Sequence, residues 1–393
     1  VQTVKEIKIH NKSDKPDNIL EKEHRIFEQC EAIEAELPPW LRGYFMYLKN
    51  NLLPMSRLAY LRDTRFFCSY LIHETACKEE TSSIRELQPE HFDQLTGIDI
   101  NLFIDYCRRY KVETDQSIYI YENDKSSLAR KKSSVSVLFK YLYRDQLVRQ
   151  NITDGFDPIR LPKAGEREIK ALQDDEVMRM LDAVENGTGL TKTEMNYWKK
   201  TKYRDKLILL LLVTYGLRLS ELQQLNLSSF NFERGEFKVY RKRGKESIMP
   251  INRTITKAYN DYLTLERPPE DSLDSVHQDA LVLSIQKARL TDRQIRQIVK
   301  KYTSISLGTS RKRGYSPHKL RATAATSLIG RGHSIYDVQE LMDHDHVTTT
   351  QLYAAHKLNT KRELIKNFEW DETSSETAES ATVKPEVHPA HEK

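Results

Sequence analysis

From Ile19 to about Gln150 apolar residues recur three and four apart, the spacing that gathers them on one face of an α-helix. "MSRLAYLRDTRFFCSYLIHE" (55–74) and "SSVSVLFKYLYRDQL" (133–147) show this best. Glycines and strand candidates are few there, so residues 20–150 are read as an all-α domain. Residues 1–19 lack the period and are expected to form a flexible arm. "NITDGFDPIRLPKAGEREIKAL" (151–172) breaks the pattern with Gly155, Pro158, Pro162 and Gly165 and reads as a linker. After it "QDDEVMRMLDAVEN" opens a helix with an acidic first turn, and "YRDKLILLLLVTYGLRLSELQQL" (203–225) reads as a buried helix turning at Gly216 into a second.

At "GEFKVYRKRGKESIMPI" (235–251) the period falls to two around a basic turn, which predicts a hairpin in a small sheet. "DALVLS" (279–284) is expected to add a strand. Residues 254–267, 291–302, 316–330 and 334–342 are expected to be helical, the last with a capping box of Ser334 and Asp337. Residues 371–393 are too polar to bury and should be a disordered tail. The expected fold class is therefore mainly α with a small β-sheet: a helical domain, then a mixed α/β domain over 173–370.

Charge changes this picture more than composition does. Hydrophobic residues make up 38% of the 393, enough for cored domains, while 30% are charged and the formal net charge is +5. From Lys287 to Arg321 there are eleven Lys or Arg against one acid, and from Lys125 to Lys170 eleven against five. Such clusters on a globular chain suit a polyanion, most often nucleic acid; compensation by acids nearby in space is the alternative. The longest apolar run, Leu207 to Val213, is too short to cross a bilayer, so no membrane anchor and a cytoplasmic, nucleoid-associated location are expected. Cys30, Cys68, Cys77 and Cys107 form no C-x-x-C and read as reduced residues.

Four short stretches carry candidate chemistry: "TYGLRLSEL", "YRKRGKES", "SPHKLRATAAT" and "LMDHDHVTTTQLYAAH". In the third, Ser316 suits an N-cap, Pro317 the first helical position, and His318 and Arg321 lie one turn apart on one face. Alone, that pair could be a solvated surface or a phosphate holder at a helix N-terminus. Asp343, His344, Asp345, His346 and His356 invite a metal reading, but neighbouring residues diverge and no second ligand pair recurs at a fixed spacing, so no metal is expected. Together the residue types suit phosphodiester cleavage. Guanidiniums present planar forks to phosphate oxygens. Histidine donates or moves a proton near neutral pH, lysine can protonate a leaving oxygen, and a tyrosine phenol can attack phosphorus.

In order and spacing the four stretches resemble the signature boxes of the tyrosine recombinases, the phage integrase family. The long N-terminal half, with "LPPWLRGYFMYLKNN", is most similar to the XerS-type single recombinases among its Xer-like members. The resemblance implies that Arg218 and Arg321 clamp the scissile phosphate and that His318 and His344 assist there. Lys242 of the basic turn becomes the general acid, with Lys245 the alternative; Tyr353 becomes the nucleophile, and Glu221 steadies the site. It implies a core-binding domain on double-stranded DNA with an inverted-repeat site, and a homotetramer on two such sites with possible accessory proteins. Strand exchange would pass through a 3′-phosphotyrosyl ester that conserves bond energy, so no cofactor is implied. Chromosome dimer resolution and mobile-element or plasmid recombination are both compatible. A type IB topoisomerase-like enzyme, or a non-catalytic DNA-binding protein of the same fold, is the alternative. "KRELIKNFEW" (361–370) is expected to form a short helix given to a neighbouring protomer. Two departures stand out: Ala322 occupies a position usually held by His, and Asp343 one usually held by Gly, where a helix end often needs φ > 0.

Overall fold

A computed structural model describes residues 15–161, 170–241 and 244–343. In chain order it contains α1 (Asp17–Glu36), α2 (Arg42–Asn51), α3 (Pro54–Glu74), α4 (Pro89–Asp93), α5 (Gly97–Arg108), β1 (Arg109–Thr114), β2 (Ser117–Glu122) and α6 (Lys125–Arg144). There follow α7 (Asp174–Asn186), α8 (Lys192–Trp198), α9 (Lys202–Tyr215), α10 (Leu219–Gln224), β3 (Phe230–Asn231), β4 (Glu236–Tyr240) and β5 (Glu246–Pro250). The rest are α11 (Arg253–Leu265), α12 (Ser275–Gln278), α13 (Asp292–Ser306), α14 (Pro317–Gly330) and α15 (Ile335–Met342). The mainly helical class with a small sheet is as expected. Among the described residues no helix is long and apolar enough to cross a membrane.

The chain forms two compact units, one of residues 1–167 with 219–295 and one of 168–218 with 296–393. In the first, α3 packs between α1 and α6 over a core rich in rings, with Phe67 against Phe92, Phe103 and Phe139. Pro54 opens α3 at the position where a missing N–H does no harm, and the Asp124 carboxylate caps α6 by accepting from Ser127 N–H at 2.7 Å. Inside, Asp63 meets Arg130 and the Lys131 ammonium; burial still outweighs both cations and holds its pKa above the ordinary value.

The structure corrects the all-α reading of residues 20–150. Residues 109–122 form an antiparallel hairpin, Tyr110 opposite Tyr121 and Val112 opposite Tyr119, about the turn at Asp115 and Gln116. Its alternation of β-branched and aromatic residues with polar ones was present in "RYKVETDQSIYIYE", but the strands do not contribute a buried face, the feature by which strands are most readily read. Helix α1 also starts at Asp17, earlier than expected.

The other part of this unit holds the expected hairpin, β4 and β5, with β3 added in the order β3-β4-β5. Phe237, Val239 and Met249 turn inward, and Phe237 stacks on Phe230, which meets Tyr259 of α11. Residues 279–284 do not form the expected strand. Ala280, Leu281, Val282 and Leu283 are buried, which explains the apolar signal, but their backbone is satisfied piecemeal. Leu281 N–H donates to Leu225 O at 3.0 Å, and Leu283 N–H to the Tyr262 hydroxyl at 3.2 Å.

In the second unit, α9 packs on α7 and α14. Helix α14 is buried on nearly every side, and its Ala322, Ala324 and Ala325 leave room for close approach. Arg311 grips Glu194 through Nε at 2.8 Å and Nη2 at 2.9 Å, which holds that carboxyl down to about 2. Fully buried Asp205 accepts from Arg204 at 2.7 Å, Lys301 at 3.1 Å and the Tyr302 hydroxyl at 3.1 Å. Residues 1–14, 162–169, 242–243 and 344–393, which include much of the expected linker and the polar tail, lie outside the described residues.

Removing the Asp205 carboxylate leaves these buried donors without their common acceptor. Asp205→Ala should therefore lower stability by about 3–5 kcal/mol. Urea unfolding measures it, and a loss below about 1 kcal/mol would show that the network is dispensable.

Candidate active site

The candidate site begins with a glycine. Gly216 ends α9 in the left-handed conformation at φ 59°, and its N–H donates to Leu212 O at 3.0 Å. A Cβ there would stand 2.6 Å from Met342 Cε and 3.4 Å from Ala324 Cβ. The tight turn sends the chain into Leu217 and Arg218 before α10.

Arg321 projects from the first turns of α14 and is only 3% exposed. A buried guanidinium needs acceptors. Its Nη1 donates to Gly216 O at 2.5 Å and its Nη2 to Met342 O. Arg218 Nη2 donates to the next carbonyl, Asp343 O, at 2.9 Å. Both cations are thus fixed on the C-terminal end of α15, where helix carbonyls lack intrahelical partners and the dipole is negative. The helix is built as the sequence required: Ser334 and Asp337 form its N-terminal capping box, and Asp343 closes its C-terminal end in the left-handed conformation at φ 48°, ψ 58°.

His318 lies one turn before Arg321 on α14. Its edge is exposed, but partial burial of the ring, then the charges of Arg321 and Arg218, hold its pKa below the ordinary 6.5. It is therefore neutral at pH 7 and able to donate from one nitrogen while accepting at the other. One local expectation is corrected: Ser316 has N-cap backbone angles, but its hydroxyl makes no capping bond. Its carbonyl accepts from Lys319 N–H at 2.9 Å, and Pro317 sets the first turn. Ala322 is buried among Ala324, Ala325, Val338 and Met342, a packing role.

In the other unit, buried Glu221 stands 3.8 Å from the Arg241 guanidinium. Arg241 immediately precedes Lys242. Its N–H donates to Lys245 O at 2.7 Å and its carbonyl accepts from Gly244 N–H at 3.2 Å, closing the basic turn. Sequence reasoning missed Arg241 by merging it with the solvated cations of "YRKRGK"; the signal was its inward parity with Phe237 and Val239. Lys245 is exposed. Lys242, His344 and Tyr353 lie outside the described residues, as do Asp345, His346 and His356 of the metal reading. Among the described residues no cluster of His, Cys, Asp and Glu could hold a metal.

Residues 170–360 match the model of the phage integrase family. A tyrosine recombinase XerC of Thermodesulfovibrio yellowstonii is 32% identical over 233 residues, which span 58% of this chain and 71% of that one. Another XerC, of Syntrophus aciditrophicus, is 28% identical over 320 residues, 80% of this chain and 91% of its own. Among solved structures, XerH recombinase bound to palindromic difH substrate in a post-cleavage complex aligns with TM-score 0.55 at 16% identity, covering 91% of each chain. A lambda integrase fragment dimer bound to a COC′ core site aligns with TM-score 0.54 at 15% identity, covering 85% of this chain and 97% of that one. The fold is thus that of the strand-exchanging tyrosine enzymes. The chain belongs to the tyrosine recombinase, or phage integrase, family and is Xer-like within it: a site-specific DNA recombinase.

His318 should titrate below 6.5 in the folded protein, so its protonation opposes folding. Stability then falls as pH drops from the ordinary value toward the depressed one. Arg218→Ala should move the His318 titration upward, as followed by imidazole NMR. A downward or absent move would show that Arg218 does not act on this ring.

Proposed function

We propose that Arg218, His318 and Arg321 hold the scissile phosphate of a recombination site, and that Tyr353 is the nucleophile. The observation that supports this most is the anchoring of both guanidiniums on Met342 O and Asp343 O, the last residues before His344. Those bonds fix the orientation of each fork in advance, the preorganisation that stabilises charge developing on phosphate oxygens. The basic segments around them favour a polyanion.

On this reading the Tyr353 phenolate oxygen attacks phosphorus and the bond to the 5′ oxygen breaks. Lys242, which follows Arg241 in the chain, gives its proton to that leaving oxygen; Lys245 is the less favoured donor. His318 and His344 donate hydrogen bonds to the non-bridging oxygens. The 3′-phosphotyrosyl ester is then attacked by the 5′ hydroxyl of another strand, which returns the proton to lysine and frees the phenolate. Residues 20–150 serve as the core-binding domain and 173–370 as the catalytic domain, with 151–172 as linker. Four chains act on two inverted-repeat sites, the segment 361–370 of each passing to a neighbour. Both chromosome dimer resolution and mobile-element or plasmid recombination fit this chemistry. A topoisomerase-like enzyme would religate the same strand, so exchange between two marked sites separates the readings.

Tyr353→Phe should bind site DNA with unchanged affinity and form no covalent complex on a nicked suicide substrate. Adducts persisting in that variant would mean that another residue attacks.

Arg321→Ala should abolish cleavage, and Arg321→Lys, which keeps charge but loses the fork, should lose most of it. Exposed Lys300→Ala should leave cleavage intact at saturating protein and lower the slope of log K against log salt by about 1. Equal cleavage defects at Arg321 and Lys300 would sink the distinction.

A further inference from the structure

The hairpin of β1 and β2 holds most of its side chains in solvent: five of the six residues of β1 and all six of β2 are exposed. It is not a loose flap. Tyr110 stacks on Tyr121 at 5.2 Å between centroids and on Tyr106 at 5.8 Å, and Tyr106 and Tyr110 both meet Phe66 of α3. Among the described residues the sheet has only these two strands, so each strand has an outer edge paired with no other described strand. One face carries no charge: Tyr110 and Tyr121, Val112 and Tyr119, Thr114 and Ser117. The opposite face carries Arg109 with Glu122, Lys111 with Ile120, and Glu113 with Ile118. Three acids, counting Asp115, stand among these cations, which does not suit a polyanion.

Backbone parity identifies the usable groups. Asn123 N–H donates to Arg108 O at 3.1 Å. Inward-facing groups alternate along an antiparallel strand, so residues 108, 110, 112 and 114 bond β2. Arg109, Lys111 and Glu113 therefore carry N–H and C=O on the outer edge, the template on which another strand can add.

We propose that two copies of this chain pair through the outer edges of β1, antiparallel about a two-fold axis at Val112. In that register Lys111 faces Glu113 of the second copy and symmetry repeats the pair, while Arg109 meets the end of the ladder, beside the turn residue Asp115 of the second copy. Tyr110 faces Thr114, and Val112 faces Val112. Both Lys111–Glu113 juxtapositions are attractive, and each joins residues whose backbone groups point outward, so the bonds within each hairpin stay intact. Moving the axis to Lys111 or Glu113 puts like charges opposite each other at the centre. A one-residue shift opposes outward to inward groups. The β2 edge, whose one charged residue is Glu122, offers no such complementarity. The result is a four-stranded sheet with one uncharged, tyrosine-rich face. The pairing is independent of the catalytic roles proposed above.

The symmetry supplies its own test by sedimentation of the full chain. Lys111→Glu alone or Glu113→Lys alone creates repulsive pairs on both sides of the axis and should weaken self-association at least about tenfold. The double variant Lys111→Glu/Glu113→Lys restores opposite signs and should recover it, as should an equimolar mixture of the two single variants. Val112→Cys should form a disulfide-linked dimer under mild oxidation, because directly opposed residues of a non-hydrogen-bonded pair lie about 4.5 Å apart at Cα, within disulfide reach. The four native cysteines are buried, and Ile120→Cys on β2 serves as the exposed control. Circular dichroism confirms that each variant folds. A chain that stays monomeric and gives no Val112→Cys dimer overturns the proposal. So does association indifferent to the charge swaps, or equal cross-linking through Ile120→Cys.

Discussion

The candidate site depends on how a buried guanidinium is solvated. Arg321 sits in the interior of α14, where an unpaired cation would cost several kcal/mol. Its acceptors are two backbone carbonyls, one from the left-handed turn at Gly216 and one from the last turn of α15. Neither would be available if those elements ended differently. Carbonyls inside a helix are already bonded, so the cation must be placed where helices stop. The second arginine repeats the arrangement one residue later on Asp343 O. Helix termini here hold the cations, and the cations tie three segments together.

That dependence explains several sequence choices at once. Gly216 must lack a Cβ because Met342 and Ala324 crowd it and because its φ is positive. Asp343 takes a positive φ that residues other than Gly, Asn and Asp rarely accept. Ala322 and Ala324 keep α14 close enough to its neighbours for the Arg321 fork to reach. His318, the member nearest solvent, is tuned by partial burial and by the same two charges.

Much of this was legible in the sequence because it follows local rules. Helices α3, α6 and α13 follow apolar spacing, α9 follows its unbroken apolar run and α14 its Ser316–Pro317 start; the Gly216 turn, the Ser334–Asp337 box and the β4–β5 hairpin follow turn and cap chemistry. What escaped depends on partners distant in the chain. The β1–β2 hairpin has no buried face to mark it. The run 279–284 is apolar because it is buried, yet its backbone partners come from residues 225, 262 and 290, which no local pattern reveals. Arg241 looked like one cation among several because its acid, Glu221, is twenty positions earlier. For the candidate site, residue types and spacing singled out Arg218, His318 and Arg321 as candidates, and the structure brings the three together. They did not show that carbonyls at the end of α15 would orient the two arginines.

The Glu221–Arg241 pair raises the converse question, since a buried ion pair is a poor source of stability compared with apolar packing of equal volume. What an ion pair adds is direction: a guanidinium has few orientations in which a carboxylate and a backbone turn are satisfied together. Arg241 meets Glu221 with its side chain while its own N–H and carbonyl close the turn to Lys245 and Gly244. The same trade appears at Arg321, where burial is accepted and two backbone carbonyls set the orientation of the fork.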